Sequence, residues 1–113
     1  MLSRKAVLRL RDIIDDADRI ATFIDGMSLS AFRGDERTLF AVERLLQRIT
    51  EAAIQIEPDD AALIGSDLPI AKMRALGNRL RHEHRHVDAG IIFDIARIEV
   101  PLARAAAELA LEN

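Results

Sequence analysis

All three histidines of the chain, His82, His84 and His86, fall at alternate positions of one short segment, and Arg74, Arg79, Arg81 and Arg85 surround them. Between Lys72 and His86 the sole acid is Glu83, so a basic patch stands out in a chain whose net charge is −3. Such a patch implies an anionic partner. Histidine changes charge near neutral pH, so an imidazole can take a proton from a ribose 2′-hydroxyl or return one to a leaving 5′-oxygen. An arginine beside it neutralises charge developing on the scissile phosphate. RNA cleavage by these groups needs no metal and no cofactor. A zinc site built from the three histidines is disfavoured, because alternate positions do not converge on one helix and the neighbouring arginines repel a cation. The plain alternative is a charged helix end that displays solvated Arg and His side chains.

Projection at about 100° per residue places Arg74, Asn78, His82 and His86 in one row, opposite Met73, Leu76 and Leu80. His84 falls toward the apolar side and is suited to packing or capping. His82 is therefore the expected acid or base. Arg79 lies about 60° from it and Arg74 about 80° on the same projection.

The element that must carry this row starts near Pro69, a good first-turn proline, and loosens in the run Arg81 to His86. Three other helical patterns accompany it. Val7, Leu10, Ile14, Ala17, Ala21 and Ile24 recur at three-and-four spacing over residues 4–24, and Gly26 supplies a stop. Asp35 is a fitting N-cap for a helix over 35–56 whose stripe is Val42, Leu45, Leu46, Ile49, Ala52, Ala53 and Ile56. Asp88 caps a last helix over 88–110 with Ile91, Ile92, Ile95, Ile98, Leu102, Ala105, Ala106 and Leu109 inward and a kink expected at Pro101. Ser28 to Phe32 reads as a turn of helix or a loop. Pro58 to Leu68 reads as a connection with one helical turn at Asp60 to Ile64.

Half the residues are hydrophobic, yet aromatics make up 4% and are all Phe, a palette of Leu, Ile, Val and Ala that favours helices. Three prolines and five glycines give none of the regular turn clusters of a β fold. The expectation is an all-α, antiparallel four- to five-helix bundle forming a single domain over 1–113. With no cysteine there is neither a disulfide framework nor a thiolate metal site, and the cytoplasm is the default location. Charges interrupt every apolar run, so no membrane contact is expected. The net negative charge excludes a general nucleic-acid coat and confines any RNA contact to a local patch.

Two stretches, Phe23-Ile24-Asp25-Gly26-Met27-Ser28 and Met73-Arg74-Ala75-Leu76-Gly77-Asn78-Arg79-Leu80-Arg81-His82-Glu83-His84, resemble the HepT-type branch of the HEPN superfamily. The resemblance extends through Phe32, Asp35-Glu36, Ala52-Ala53, Asp88 and Pro101-Leu102. It implies a homodimeric all-α ribonuclease toxin neutralised by a minimal nucleotidyltransferase antitoxin. The family motif is an arginine, a polar residue that is commonly asparagine, and a histidine four to six residues beyond the arginine, often with a tyrosine two residues further on. Asn78 and His82 match the polar residue and the histidine. Gly77 stands where the arginine is expected and His84 where the tyrosine is expected. The resemblance thus implies His82 as acid or base, Asn78 orienting the phosphate, and Arg79 or Arg74 supplying the guanidinium, with Arg81, Arg85, His84 and His86 contacting RNA. A shifted register, Arg79 to His84, meets the bare spacing but not the place of Asn78. Two other readings stand beside the toxin: a degenerate relative that binds a nucleotidyltransferase without cleaving, and an unrelated helical interaction module. The tyrosine to which an antitoxin of this family transfers AMP is absent, so control would act by masking the patch or by modifying another side chain.

Overall fold

A computed structural model describes residues 1–83 and 87–112. Among these the regular elements are helical: α1 (Arg4–Ile24), α2 (Leu29–Arg33), α3 (Glu36–Ile54), α4 (Pro58–Ile64), α5 (Ile70–His82), α6 (Ala89–Asp94), a π-helical turn (Ile95–Glu99) and α7 (Val100–Glu112). Helix starts are set by short polar side chains. Ser3 accepts from the Ala6 N–H at 3.1 Å, Ser28 from Ala31 at 3.1 Å, Asp35 from Thr38 at 3.1 Å and Asp88 from Gly90 at 2.9 Å. Gly26 turns the chain out of α1 at φ 73°, a left-handed conformation that glycine adopts without steric cost. Ser28 to Phe32, read as a turn or a loop, is helical, and the expected connection after Pro58 holds the two-turn α4.

The long helices α1 and α3 run antiparallel. Arg9 donates to Gln55 at 2.8 Å and Arg48 pairs with Asp16 at 3.0 Å, so rising numbers on one helix meet falling numbers on the other. Leu10, Ile13, Ile20, Val42, Leu46 and Ile49 form the centre of one continuous core, joined by Phe32 and Phe93, whose rings lie 5.0 Å apart. Every residue of the expected α3 stripe is buried. Among the described residues, no helix is long and apolar enough to cross a membrane.

Two expected faces are rotated. In α1 the core takes Ala6, Ile13 and Ile20, while Val7 and Ile14 are half-buried and Ala21 is exposed. The apolar band of α1 is two columns wide, and the deciding residue is Asp16, which enters the α3 seam because Arg19 at 2.8 Å and Arg48 at 3.0 Å compensate its burial. In the last segment Ile91, Ile98, Leu102 and Leu109 are exposed, not inward, and so is Ala105. Ile92 is buried as expected, and Phe93, Ala96, Val100, Ala107 and Ala110 are buried in place of the exposed positions. The interruption expected at Pro101 takes the form of the π turn just before it, where the Val100 N–H reaches back to the Ile95 carbonyl. A wider turn advances the helix face by an extra residue, and the small alanines beyond it allow close approach to α1.

Candidate functional site

Helix α5 carries the row of polar residues, and its fit against α3 explains which way that row points. Met73, Gly77 and Leu80 are the buried positions of α5. A Cβ placed on Gly77 would lie 2.6 Å from Thr50 Oγ1 and 2.9 Å from Thr50 Cβ. The missing side chain is therefore what lets α5 seat on α3. Thr50 itself is buried and donates its hydroxyl to the Gln47 carbonyl at 2.8 Å, so it cannot swing freely away. An arginine at position 77 would restore the motif in the sequence but would point into α3. Restoring the pattern there breaks the seam.

Arg74, Asn78, Arg79 and His82 are all exposed, as the projection implied. His82 is the last helical residue of α5, and its imidazole has no side-chain partner among the described residues. Asn78 accepts at its Oδ1 from Arg81 Nη2 at 2.5 Å. Because arginine only donates, this contact fixes the amide orientation and leaves the Asn78 NH2 directed outward for an incoming acceptor. Arg79 is held by its own helix: its Nε lies 3.2 Å from Glu83 Oε2, leaving the terminal guanidinium nitrogens for other contacts. Arg79 sits about 4.5 Å from His82 along the helix axis and Arg74 about 12 Å, so a phosphate at His82 falls within easier reach of Arg79. His84, Arg85 and His86 lie outside the described residues, and with them the shifted Arg79 to His84 register and the three-histidine arrangement.

Beside this ridge a cavity of about 300 Å³ opens between α5, α3 and the π turn. Its wall is apolar, formed by Leu46, Ile49, Met73, Leu76, Ile95 and Val100 among others, and Arg79 lies on its rim. Lys72 and Glu99 meet across it at 2.5 Å. The sequence reading passed over Glu99, Thr50 and the hold of Glu83 on Arg79, since each depends on which helix lies opposite. A glycine inside a strongly helical pattern was the one local sign that something packs closely at position 77.

The pattern of the ribonuclease HepT-like family matches residues 13–109, from the middle of α1 to the last turns of α7, and so takes in the whole ridge. The chain belongs to that family. Among curated proteins it is similar to a probable ribonuclease HepT of Thermococcus cleftensis, 28% identical over 92 residues that span 81% of this chain and 83% of the relative. A putative RNase of Methanocaldococcus jannaschii is likewise 28% identical over 92 residues, 81% of this chain and 75% of that protein. No solved structure matches the chain significantly. Asn78 and His82 lie within the matched span, and so does Gly77, which makes the close contact with α3.

Proposed function

We propose that this protein is a metal-independent endoribonuclease, the toxin of a cytoplasmic toxin–antitoxin pair whose antitoxin is a nucleotidyltransferase. The observation that carries the reading is the exposed Asn78 and His82 ridge with Arg79 tethered beside it, in a member of a ribonuclease family. His82 takes the proton of a ribose 2′-hydroxyl, the freed oxygen attacks the adjacent phosphorus, and the 5′-oxygen leaves with a proton, giving a 2′,3′-cyclic phosphate. The Asn78 amide donates to a non-bridging oxygen and Arg79 neutralises the charge gathering there.

One imidazole cannot be base and acid at the same moment. The second role falls to His82 of a second copy, and the exposed stripe Ile98, Leu102 and Leu109 supplies an apolar face suited to a homodimer. Leu102 is 67% exposed, an unfavourable place for a leucine unless something covers it. As the chain contains no tyrosine, the antitoxin acts by covering the basic patch.

Gly77 favours a second reading, a catalytically silent relative that keeps the partner and has lost cleavage. Incubation of purified protein with single-stranded RNA in excess chelator separates the two. Cleavage that disappears in His82→Ala, with an unchanged circular dichroism spectrum, supports the nuclease. Intact RNA with retained binding to the neighbouring nucleotidyltransferase supports the silent relative. Sedimentation at micromolar concentration giving a 12.6 kDa monomer would remove the composite site.

A further inference from the structure

The cavity between α5 and the π turn has no part in the chemistry just described. We propose that it is a base-binding subsite that takes one guanine of the RNA, with Glu99 as the residue that reads it. This rests on the RNA reading above and assigns that site a specificity.

The cavity volume, about 300 Å³, lies at the small end of the range for ligand pockets, room for a single flat ring system rather than an extended ligand. Its wall of Leu46, Ile49, Met73, Leu76, Ile95 and Val100 suits the faces of a base, which are apolar. Apart from Thr50, which is buried and donates its hydroxyl to the Gln47 carbonyl, its polar groups are the charged side chains of Lys72, Arg79 and Glu99. Glu99 offers a carboxylate, an acceptor with two oxygens, and guanine is the base whose Watson–Crick edge presents two adjacent N–H donors. Adenine, cytosine and uracil each offer a single donor group beside at least one acceptor, and a carboxylate repels that acceptor. Lys72 and Arg79 are the cations of the rim and complement the phosphate attached to the bound nucleoside.

Continuity with the cleavage ridge comes through Arg79, which lines the cavity and stands about one helical turn from His82. A strand whose guanine enters the cavity therefore has a neighbouring phosphate beside His82. Among the described residues Glu99 is held by Lys72, at 2.5 Å, and both side chains are well exposed, so the pair contributes little and is readily exchanged for ligand contacts.

The test uses the full chain and the four nucleoside 3′-monophosphates as probes, followed by methyl NMR at Leu76, Met73 and Ile95. Guanosine 3′-monophosphate should shift these methyls with an affinity about tenfold above the other three, the discrimination expected of one bidentate base contact. Glu99→Gln, which keeps the shape but turns one acceptor into a donor, should erase the preference. Ala103→Phe fills the cavity from α7 and should abolish the shifts. If that variant does not fold, Glu99→Gln decides the matter alone. The proposal is overturned if no nucleotide moves the cavity methyls, if Glu99→Gln keeps the guanine preference, or if the methyls respond to protein concentration instead of nucleotide, which would make the cavity a contact between copies. The RNA-cleavage assay keeps the two readings apart. Nucleotide binding without cleavage removes the nuclease and leaves the subsite; cleavage without cavity binding does the reverse.

Discussion

The α1–α3 seam and the α3–α5 seam are both helix pairs in one small molecule, yet they are built in different ways. Between α1 and α3, large side chains such as Ile13, Ile20 and Leu46 are fully buried, and Asp16 draws Arg19 and Arg48 together over them. Helix α5 is shorter, has no side-chain cap at its start, and seats on α3 through a glycine against a threonine. Its flank toward the π turn is left open as a cavity bridged by Lys72 and Glu99. The lesson is a division of labour: burial that holds the fold lies in the first seam, while α5 spends its surface on exposed Arg, Asn and His. The exposed side chains of α5 can then be altered with little cost to the fold, provided Gly77 is left alone.

The contrast breaks most severely at Ile49, which is 4% exposed. Ile49→Asp should cost about 3–5 kcal/mol and prevent folding, because a carboxylate there is buried without a partner. Ile95→Asp, by contrast, changes a half-buried residue of the π turn and should cost clearly less. Equal losses in chemical denaturation would show that the π turn is packed as tightly as α3.

Next comes Gly77→Ala. The added methyl must push Thr50 aside, and overpacking of this kind costs about 1–3 kcal/mol, partly offset by the better helix propensity of alanine. Gly77→Arg should be worse for the same reason and should not confer activity. A thermal melt of Gly77→Arg equal to wild type, with raised RNA cleavage, would mean that α5 sits differently on α3.

Smaller effects belong to the capping groups at either end of the α1–α3 pair. The Ser3 hydroxyl at 2.6 Å and then its N–H at 2.9 Å hold the Asp60 carboxyl below its ordinary value of 3.8, and the Thr38 hydroxyl and N–H do the same for Asp35. A depressed carboxyl pKa stabilises the fold above the unfolded value, and that stabilisation is lost as pH falls through the folded value. The contribution of these two carboxyls should therefore be flat from neutral pH down to about 4 and fall below it. Ser3→Ala should flatten part of that acid decline in melts recorded between pH 5 and 2.

The smallest effect on the fold is expected at the ridge itself. His82→Ala should change stability by no more than about 0.5 kcal/mol, since the side chain is exposed and has no partner among the described residues. Its effect on RNA cleavage should be complete. A large stability loss in that variant would place His82 in the structure rather than in the chemistry.

The sequence by itself determined where the long helices are and which side of α3 and α5 is apolar. Asp35 and Asp88 mark starts, Gly26 marks a stop, and the spacing from Val42 to Ile56 marks a buried stripe, because caps and periodicity act between residues a few positions apart. The same local geometry put Arg74, Asn78 and His82 in one exposed row. What it could not decide was the rotation of a helix whose apolar band is wider than its contact. In α1 the choice between Ile13 and Ile14 followed Arg48, which is remote in sequence and approaches Asp16 across the seam. In the last segment, the π turn before Pro101 moved Ile98 and Leu102 outward while Ala107 and Ala110 went in. Gly77 reads locally as a missing motif arginine, and only the position of Thr50 reveals that it is a contact surface. The cavity is tertiary in the same sense, since its walls come from α3, α5, the π turn and α7 and its rim joins Lys72 to Glu99. Periodicity fixes each helix to within a turn, but the partner that each face meets is chosen by packing among residues far apart in the chain.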